Sequence, residues 1–203
     1  MPSSDMNVII TRLLYGVNDS QVLRPKPSVA DNMRDMELSK DVLPAMPAIQ
    51  PIGVIRTPFL RAAGTPIQSS VSRGAEGQVE LFAGFEDGLK DVEGFDRLWL
   101  LYSFDRASEP QLLVRPYLDP VERGVFATRS PARPNRIGMS PVRLLGVRGA
   151  TLLVSDVDML DGSPLLDIKP YVPAFDHFAV ERVGWYQSVS AEGAVADGRF
   201  ERK

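Results

Sequence analysis

Arginine is concentrated in one stretch of the sequence. No acidic residue lies between Glu122 and Asp156, and every basic residue in that interval is an arginine: Arg123, Arg129, Arg133, Arg136, Arg143 and Arg148. A guanidinium group binds phosphate and carboxylate through paired hydrogen bonds and stacks on flat rings. The block therefore predicts a surface that faces an anion, either an anionic polymer or a ligand that carries a carboxylate.

The acidic segment that follows offers a plainer interpretation of any single arginine. It holds five aspartates against one lysine: Asp156, Asp158, Asp161, Asp167 and Asp176 against Lys169. Neighbouring strands of opposite charge can simply pair across a sheet, and each such pair contributes a fraction of a kcal/mol. The aspartates do not fit a calcium loop, because an EF-hand counted from Asp156 needs glycine at its sixth position, where Asp161 stands.

Two segments are dense in residues with special backbone conformations. The first, 124–140, is a β-patterned run that ends in two prolines, Pro131 and Pro134, followed by Asn135 and Gly138. The second, 161–173, opens with an Asp-Gly turn, and its residues Asp167, Lys169 and Tyr171 alternate on one face. Such chemistry predicts rigid, irregular loops that direct side chains at one place.

Several kinds of site are excluded by composition. The chain has no cysteine and one histidine, His177, which argues against disulfides, thiolate or His-rich metal sites and a Ser-His-Asp triad. No metal site is predicted, and the absence of a G-x-G-x-x-G motif leaves a Rossmann domain unsupported.

The overall composition is that of an ordinary globular protein. Its 203 residues are 44% hydrophobic and 24% charged, and the net charge of -3 requires any RNA contact to come from a local basic patch. No apolar stretch approaches the length of a membrane helix, and the first residues lack a secretory pattern, so we expect a cytoplasmic protein without a membrane partner.

The elements that must position these residues are mostly strands. Residues 1–50 are proline-rich and are predicted to form an extension, with a short strand or arm at 8–14 and a helix at 28–43. Residues 51–176 form the predicted domain, and 177–203 a tail that is largely a loose end. Within the domain a short helix is expected at 85–92, and strands at 52–56, 77–82, 95–104, 124–129, 140–147, 151–156 and 165–168. Repeated short strands favour an antiparallel β-barrel or sandwich.

The two special segments closely resemble the signature of the TsaA-like (TrmO) family. The segments read GVFATRSPARPNRIGMS and DGSPLLDIKPYVP, and the resemblance extends over 52–173. It implies a mainly β fold, an antiparallel β-barrel with a short helix. It also implies S-adenosyl-L-methionine as cofactor, a homodimer, and transfer of a methyl group to N6 of threonylcarbamoyladenosine in the tRNA anticodon loop.

Carried over position by position, the resemblance implies a set of site residues. The cofactor contacts are Pro66, Ile67, Gln68, Asp105, Arg106, Arg129, Met139, Ser140, Pro141, Asp161, Gly162, Ser163 and Pro164. Gln68 offers an amide and Arg129 a clamp for a carboxylate. The substrate contacts are Arg133, Asn135 and Arg136, and the candidates for orienting the nucleophile or moving its proton are Asp161, Lys169 and Tyr171.

The sequence departs from the family pattern at two positions. Asp105 stands where relatives usually carry histidine, and Ser163 replaces a threonine. The first change puts the substrate in more doubt than the fold, because a carboxylate can still accept hydrogen bonds from ribose hydroxyls. Two alternatives therefore stay open: the same barrel acting on another RNA or a small carboxylated molecule, and a binding module without catalysis.

Overall fold

Six antiparallel strands close into a barrel in a computed structural model of the chain, which describes residues 47–202. The strand order around the barrel is β1-β2-β7-β6-β3-β8, and β8 pairs with β1 to close it, whereas β4 and β5 form a separate two-stranded sheet. The strands are β1 Gly53–Arg56, β2 Glu76–Leu81, β3 Arg97–Ser103, β4 Leu113–Val114, β5 Arg123–Gly124, β6 Ile137–Arg148, β7 Thr151–Ser155 and β8 Ser163–Pro170. The predicted mainly β fold is thereby confirmed.

Helical structure in the described residues is limited to short pieces. A single-turn α-helix, α1, spans Pro173–Asp176, and 3₁₀ turns span Ser69–Val71, Glu86–Leu89, Val92–Gly94, Val125–Ala127 and Gly184–Ser188. None of the helices within 47–202 has the length and hydropathy that a membrane crossing requires.

The barrel interior is filled by alternating residues of the strands. In β3 the side chains of Leu98, Leu100 and Tyr102 are buried and point inward, while the intervening residues are half-buried. Period-two alternation is what a strand needs in order to show one face to a core. The remaining buried apolar residues of this core come mainly from the other strands: Ile55, Val79, Val142, Leu152, Val154, Val157, Met159 and Leu165.

Two predicted elements take a different form. The strand expected at 124–129 is a two-residue strand followed by a 3₁₀ turn, because Val125 is buried in a small core outside the barrel whereas Phe126 is 77% exposed. The helix expected at 85–92 is replaced by two 3₁₀ turns, and Asp91 between them has a left-handed φ of 67°. A left-handed residue ends a regular right-handed helix.

The C-terminal residues pack against the barrel domain instead of forming a loose end. Residues 184–202, here called the strap, make isolated bridges from Val195 to Pro66 and from Glu201 to Ala107. Phe200 is buried with Val114 in the small core outside the barrel. Burial of aromatic surface holds the strap in place. The strand and helix predicted at 8–14 and 28–43, like the first 46 residues of the predicted extension, lie outside the described residues.

Candidate functional site

A cavity of about 330 Å³ opens where β3 ends and β6 and β8 begin. Its walls also include residues 62–68, the loop 128–133 within the first special segment, and six residues of the strap. A volume of this size, enclosed by apolar side chains with a few polar groups, falls in the range of small-molecule sites. This cavity, called the strap cavity below, is therefore the candidate binding site.

Most of the cofactor contacts predicted from sequence meet in the strap cavity. The wall contains Pro66, Ile67, Gln68, Asp105, Arg106, Arg129, Met139, Ser140 and Ser163, together with Arg133 from the predicted substrate contacts. The other predicted residues do not line it: Pro141, Asp161, Gly162, Pro164, Asn135, Arg136, Lys169 and Tyr171.

The Asp161–Gly162 turn supports the cavity wall from behind. The backbone oxygen of Asp161 accepts a hydrogen bond from Nη2 of Arg106. The side-chain Oδ1 of Asp161 accepts a hydrogen bond from the backbone N–H of Thr57 at 3.1 Å. Gly162 has a φ of 78°, a left-handed conformation that glycine adopts without strain. The turn therefore connects the start of β8 to Arg106. Arg106 also forms an ion pair with its neighbour Asp105 at 3.7 Å.

The arginine-rich loop is held by its own side chains. Arg133 donates through Nη1 to the backbone oxygens of Thr128 and Ser130, at 3.1 and 3.3 Å. Arg129 donates through Nη1 to Oε1 of Gln68, which connects the loop to the segment 66–68 of the cavity wall. Arg136 has a left-handed φ of 48° and pairs with Glu109 at 3.3 Å, away from the cavity.

Two of the predicted catalytic residues lie at the other end of β8. Lys169 pairs with Asp167 at 2.7 Å, and the ring of Tyr171 packs against Trp99 with centroids 5.6 Å apart. A strand rises about 3.3 Å per residue, so Lys169 lies roughly 20 Å along β8 from Ser163 in the cavity wall.

A carboxyl group that the sequence analysis did not select faces the strap cavity. Asp158 accepts a hydrogen bond from Ser140 at 2.6 Å on Oδ1 and one from Ser69 at 3.2 Å on Oδ2. Burial raises the pKa of Asp158 to about 6, against the opposing effect of these donors. The residue stood in the acidic segment, but the sequence showed only that it does not belong to a calcium loop.

The hydroxyl of Tyr102 completes this polar cluster. It lies 3.2 Å from Oγ of Ser140, and burial raises the pKa of Tyr102 well above its usual value. Because Ser140 directs its own proton to ionised Asp158, Tyr102 donates to Ser140. The three residues come from β3, β6 and the segment after β7, which sequence patterns cannot bring together.

The strap supplies an aromatic pair at the cavity mouth. The rings of Trp185 and Tyr186 are stacked, with centroids 3.8 Å apart and planes inclined by 27°. Nε1 of Trp185 donates to the backbone oxygen of Ala127 at 2.8 Å, and the guanidinium group of Arg123 lies 5.9 Å from the centre of the indole ring. Adjacent aromatic residues in a tail otherwise rich in Gly, Ala and charge were the available sequence signal.

Comparison with known proteins identifies relatives of this arrangement. The tRNA-methyltransferase O N-terminal domain family matches residues 54–177. A probable S-adenosyl-L-methionine-binding protein of Pyrococcus abyssi is 51% identical over 161 residues, which are 78% of this chain and 88% of that protein. The tRNA (adenine(37)-N6)-methyltransferase of Escherichia coli is 36% identical over 71% of this chain, which spans 66% of the enzyme's length.

A solved structure agrees with the sequence relatives. The crystal structure of TrmO from Pseudomonas aeruginosa is matched with a TM-score of 0.62 and 38% identity, over 72% of this chain and 65% of that one. The match to the domain family covers more than half of the 203 residues, and it includes both special segments. The family predicted from those segments is thereby confirmed, and the chain belongs to the tRNA-methyltransferase O N-terminal domain family.

Proposed function

We propose that the chain binds S-adenosyl-L-methionine in the strap cavity and transfers its methyl group to N6 of threonylcarbamoyladenosine in the anticodon loop of tRNA. The observation that carries the proposal is the union, in one cavity wall, of the arginine-rich loop with the segments 66–68 and 105–106. Related proteins are named as S-adenosyl-L-methionine-binding proteins and as tRNA (adenine(37)-N6)-methyltransferases.

The donor set of the strap cavity fits this cofactor. S-adenosyl-L-methionine presents an adenine ring, ribose hydroxyls and a charged amino-acid end, and when bound it supplies an electrophilic methyl group. Phe104 and Met139 provide apolar surface for the adenine ring. The carboxylate of Asp105 can accept hydrogen bonds from the ribose hydroxyls, and Arg129 can bind the carboxylate of the amino-acid end.

The remaining arginines fit an RNA substrate. Arg133 lines the cavity, and we assign it to the carboxylate of the threonyl group, with Asn135 and Arg136 beside it on the same loop. Exposed Arg143 and Arg148 on β6 are available for phosphates, which supply most of the affinity in nucleic-acid complexes.

The catalytic assignment follows from where the candidates lie. Methyl transfer depends chiefly on alignment of nitrogen, methyl carbon and sulfur, so residues that fix the wall contribute without touching the reacting atoms. Asp161 acts in this way through Arg106 and Thr57. Lys169 and Tyr171 lie outside the cavity, and we therefore assign these two residues to tRNA binding.

We also propose a homodimer that acts in the cytoplasm, where tRNA is found. The cavity mouth is flanked by apolar residues that are unusually exposed, including Ile137 at 38% and Met139 at 51%. Exposed apolar patches beside a site mark interaction surfaces. Sedimentation velocity of the purified protein tests this point, since a monomer of 22.4 kDa and a dimer separate readily.

The activity itself is tested by nucleoside mass spectrometry. Purified protein is incubated with S-adenosyl-L-methionine and with tRNA that carries or lacks the threonylcarbamoyl group. We expect methylation of the modified tRNA alone, and loss of that activity in Arg133→Ala. Methylation of unmodified tRNA, or of neither, would refute the proposed substrate, and an unchanged Arg133→Ala variant would remove the assigned carboxylate contact.

A further inference from the structure

Two side chains of opposite charge, Arg129 and Asp158, form hydrogen bonds with the consecutive residues Gln68 and Ser69. Gln68 accepts a hydrogen bond from the guanidinium group of Arg129, and the next residue, Ser69, donates its hydroxyl proton to Oδ2 of Asp158. Consecutive Cα atoms are about 3.8 Å apart. Arg129 and Asp158 both line the strap cavity, so the segment 68–69 connects a cationic and an anionic group of the same cavity.

Asp158 retains an acceptor position for a ligand. Its carboxylate accepts one hydrogen bond on each oxygen, from the hydroxyl of Ser140 at 2.6 Å and from the hydroxyl of Ser69 at 3.2 Å. An ionised carboxyl group offers about four lone-pair positions, so these two hydroxyl donors do not fill it. Within residues 47–202 no Lys, Arg or His forms an ion pair with Asp158, whereas Asp105 in the same wall pairs with Arg106.

A carboxylate withdrawn from water without a cationic partner is unfavourable. The groups that face it from the neighbouring elements are Ser69, Ser140 on β6 and, through Ser140, Tyr102 on β3. Burial holds the pKa of Tyr102 above its usual value, so the tyrosine stays neutral and gives no counter-charge. A cationic group on a ligand would supply the counter-charge that these neighbouring groups lack.

We infer that Arg129 and Asp158 form a subsite for an α-amino-acid zwitterion, in which Arg129 holds the α-carboxylate and Asp158 accepts the α-ammonium group. The inference rests on the proposed function, since the zwitterion in question is the methionine end of the cofactor. It assigns Asp158 and its support Ser69 to cofactor recognition.

Calorimetric titration of the full chain with two probes tests the subsite. S-adenosylhomocysteine carries the zwitterion, and 5′-methylthioadenosine has the adenosine thioether without it. For Asp158→Asn we expect S-adenosylhomocysteine to bind about 10- to 100-fold more weakly, as for loss of a charged hydrogen bond, while 5′-methylthioadenosine binds within twofold of wild type. Glu80→Gln, which removes an exposed carboxylate paired with Arg56 on the barrel surface, is the control that leaves both affinities unchanged.

The pH dependence gives a second readout that a merely structural role would not produce. Burial sets the pKa of Asp158 near 6, so the ionised fraction falls about tenfold between neutral pH and pH 5. Wild-type affinity for S-adenosylhomocysteine should weaken about tenfold from pH 7.5 to pH 5, and Asp158→Asn should show a flat profile.

Equal weakening of both probes in Asp158→Asn, or unchanged affinity for S-adenosylhomocysteine, would overturn the subsite. Unchanged affinity combined with lost methyl transfer would also overturn it and would point to proton transfer by Asp158. Failure of the proposed function is separate: selective weakening of S-adenosylhomocysteine alongside tRNA that stays unmethylated supports the subsite and refutes only the RNA substrate.

Discussion

The two ends of the barrel differ in what closes them. Where β3 ends and β8 begins, the long segment between β3 and β6, the loop after β1 and the strap enclose a cavity with charged and polar groups. Where β8 ends, two 3₁₀ turns and the start of β3 enclose about 290 Å³ whose walls are mainly apolar, with Phe85, Leu89 and Phe95 among them. Both ends share the same strands, so the difference comes mainly from the connecting segments.

The contrast shows which parts of a small barrel supply the polar groups of its binding site. Strand residues such as Ser140 and Ser163 reach the cavity only at the strand ends, and the other polar groups stand on irregular backbone. Irregular segments can direct side chains that the alternation of a strand would send into the core or outward. At the other end Lys169 pairs with Asp167 and Tyr171 packs against Trp99, and neither Lys169 nor Tyr171 lines either of these two cavities.

Removing the guanidinium group of Arg129 should have the largest effect on cofactor binding. Arg129→Ala is expected to weaken S-adenosylhomocysteine roughly 10- to 100-fold, because a charge-assisted hydrogen bond to the carboxylate is lost. Arg129→Lys, which retains the charge without the fork, should fall between this variant and wild type. Calorimetric titration measures both; equal affinity in all three proteins would exclude Arg129 from the site.

Filling the space beside Tyr102 should destabilise the cavity end. A Cβ atom added at Gly138 would lie 2.4 Å from Cζ of Tyr102, so Gly138→Ala is expected to cost about 1–3 kcal/mol by overpacking. Gly146→Ala on the same strand is the matched control, since a Cβ there meets no atom within 4 Å. Chemical unfolding gives both free energies. Equal losses in the two variants would show that the close contact of Gly138 carries no special cost.

The ionised carboxylate of Asp158 should lower the protein's free energy of unfolding at neutral pH. Its folded-state pKa of about 6 exceeds the ordinary value of 3.8, so the folded protein retains a proton between pH 4 and 6 that the unfolded chain has released. The free energy of unfolding therefore falls as pH rises through this window and is level above it.

The Asp158→Asn variant has no carboxyl group at this position, so its free energy of unfolding should not fall in this pH window. It is expected to exceed wild type by about 1–3 kcal/mol at pH 8, at about 1.4 kcal/mol per pKa unit, and to match it near pH 4. Thermal and urea unfolding across this range give the difference. Parallel curves for the two proteins would show that Asp158 titrates normally.

Loosening the strap should have a moderate effect. Trp185→Ala is expected to weaken S-adenosylhomocysteine about 5- to 10-fold, because the indole stacks on Tyr186 and anchors the strap through Ala127. Phe178→Ala removes a tail aromatic that is 72% exposed and lines no part of the cavity. It serves as the control in the same titration. If both variants bind as wild type does, the strap is not part of the site.

Substitution at the other end should have the smallest effect on the cofactor. Lys169→Ala and Tyr171→Phe are expected to bind S-adenosylhomocysteine within twofold of wild type, since neither side chain lines the cavity. Their affinity for tRNA, measured by filter binding, is the quantity we expect to fall. A tenfold loss in cofactor affinity would contradict the distinction between the two ends.

The barrel could be predicted from local sequence patterns, and part of the cavity wall could be predicted from the family resemblance. Strand alternation predicted β3 and β7 to within one or two residues, and the family resemblance over 52–173 assigned Gln68, Arg106 and Arg129 to one site. Asp158 could not be found in this way, because its environment is made by Ser69, almost ninety residues away in sequence, and by burial.

The strap and the true form of 124–129 depended on tertiary packing. Val125 and Phe200 are buried together outside the barrel, and no local sequence pattern in either segment predicts that contact. The β pattern of 124–129 was therefore interpreted as a barrel strand, and the tail as a loose end.

A crystal structure of the full chain with S-adenosylhomocysteine would show where the cofactor binds on the barrel. We expect the ligand in the strap cavity, with its α-carboxylate at Arg129, its α-ammonium group at Asp158 and its adenosine towards Phe104 and Met139. Ligand density at the end of β8, near Lys169 and Tyr171, with the strap cavity holding only water, would contradict it.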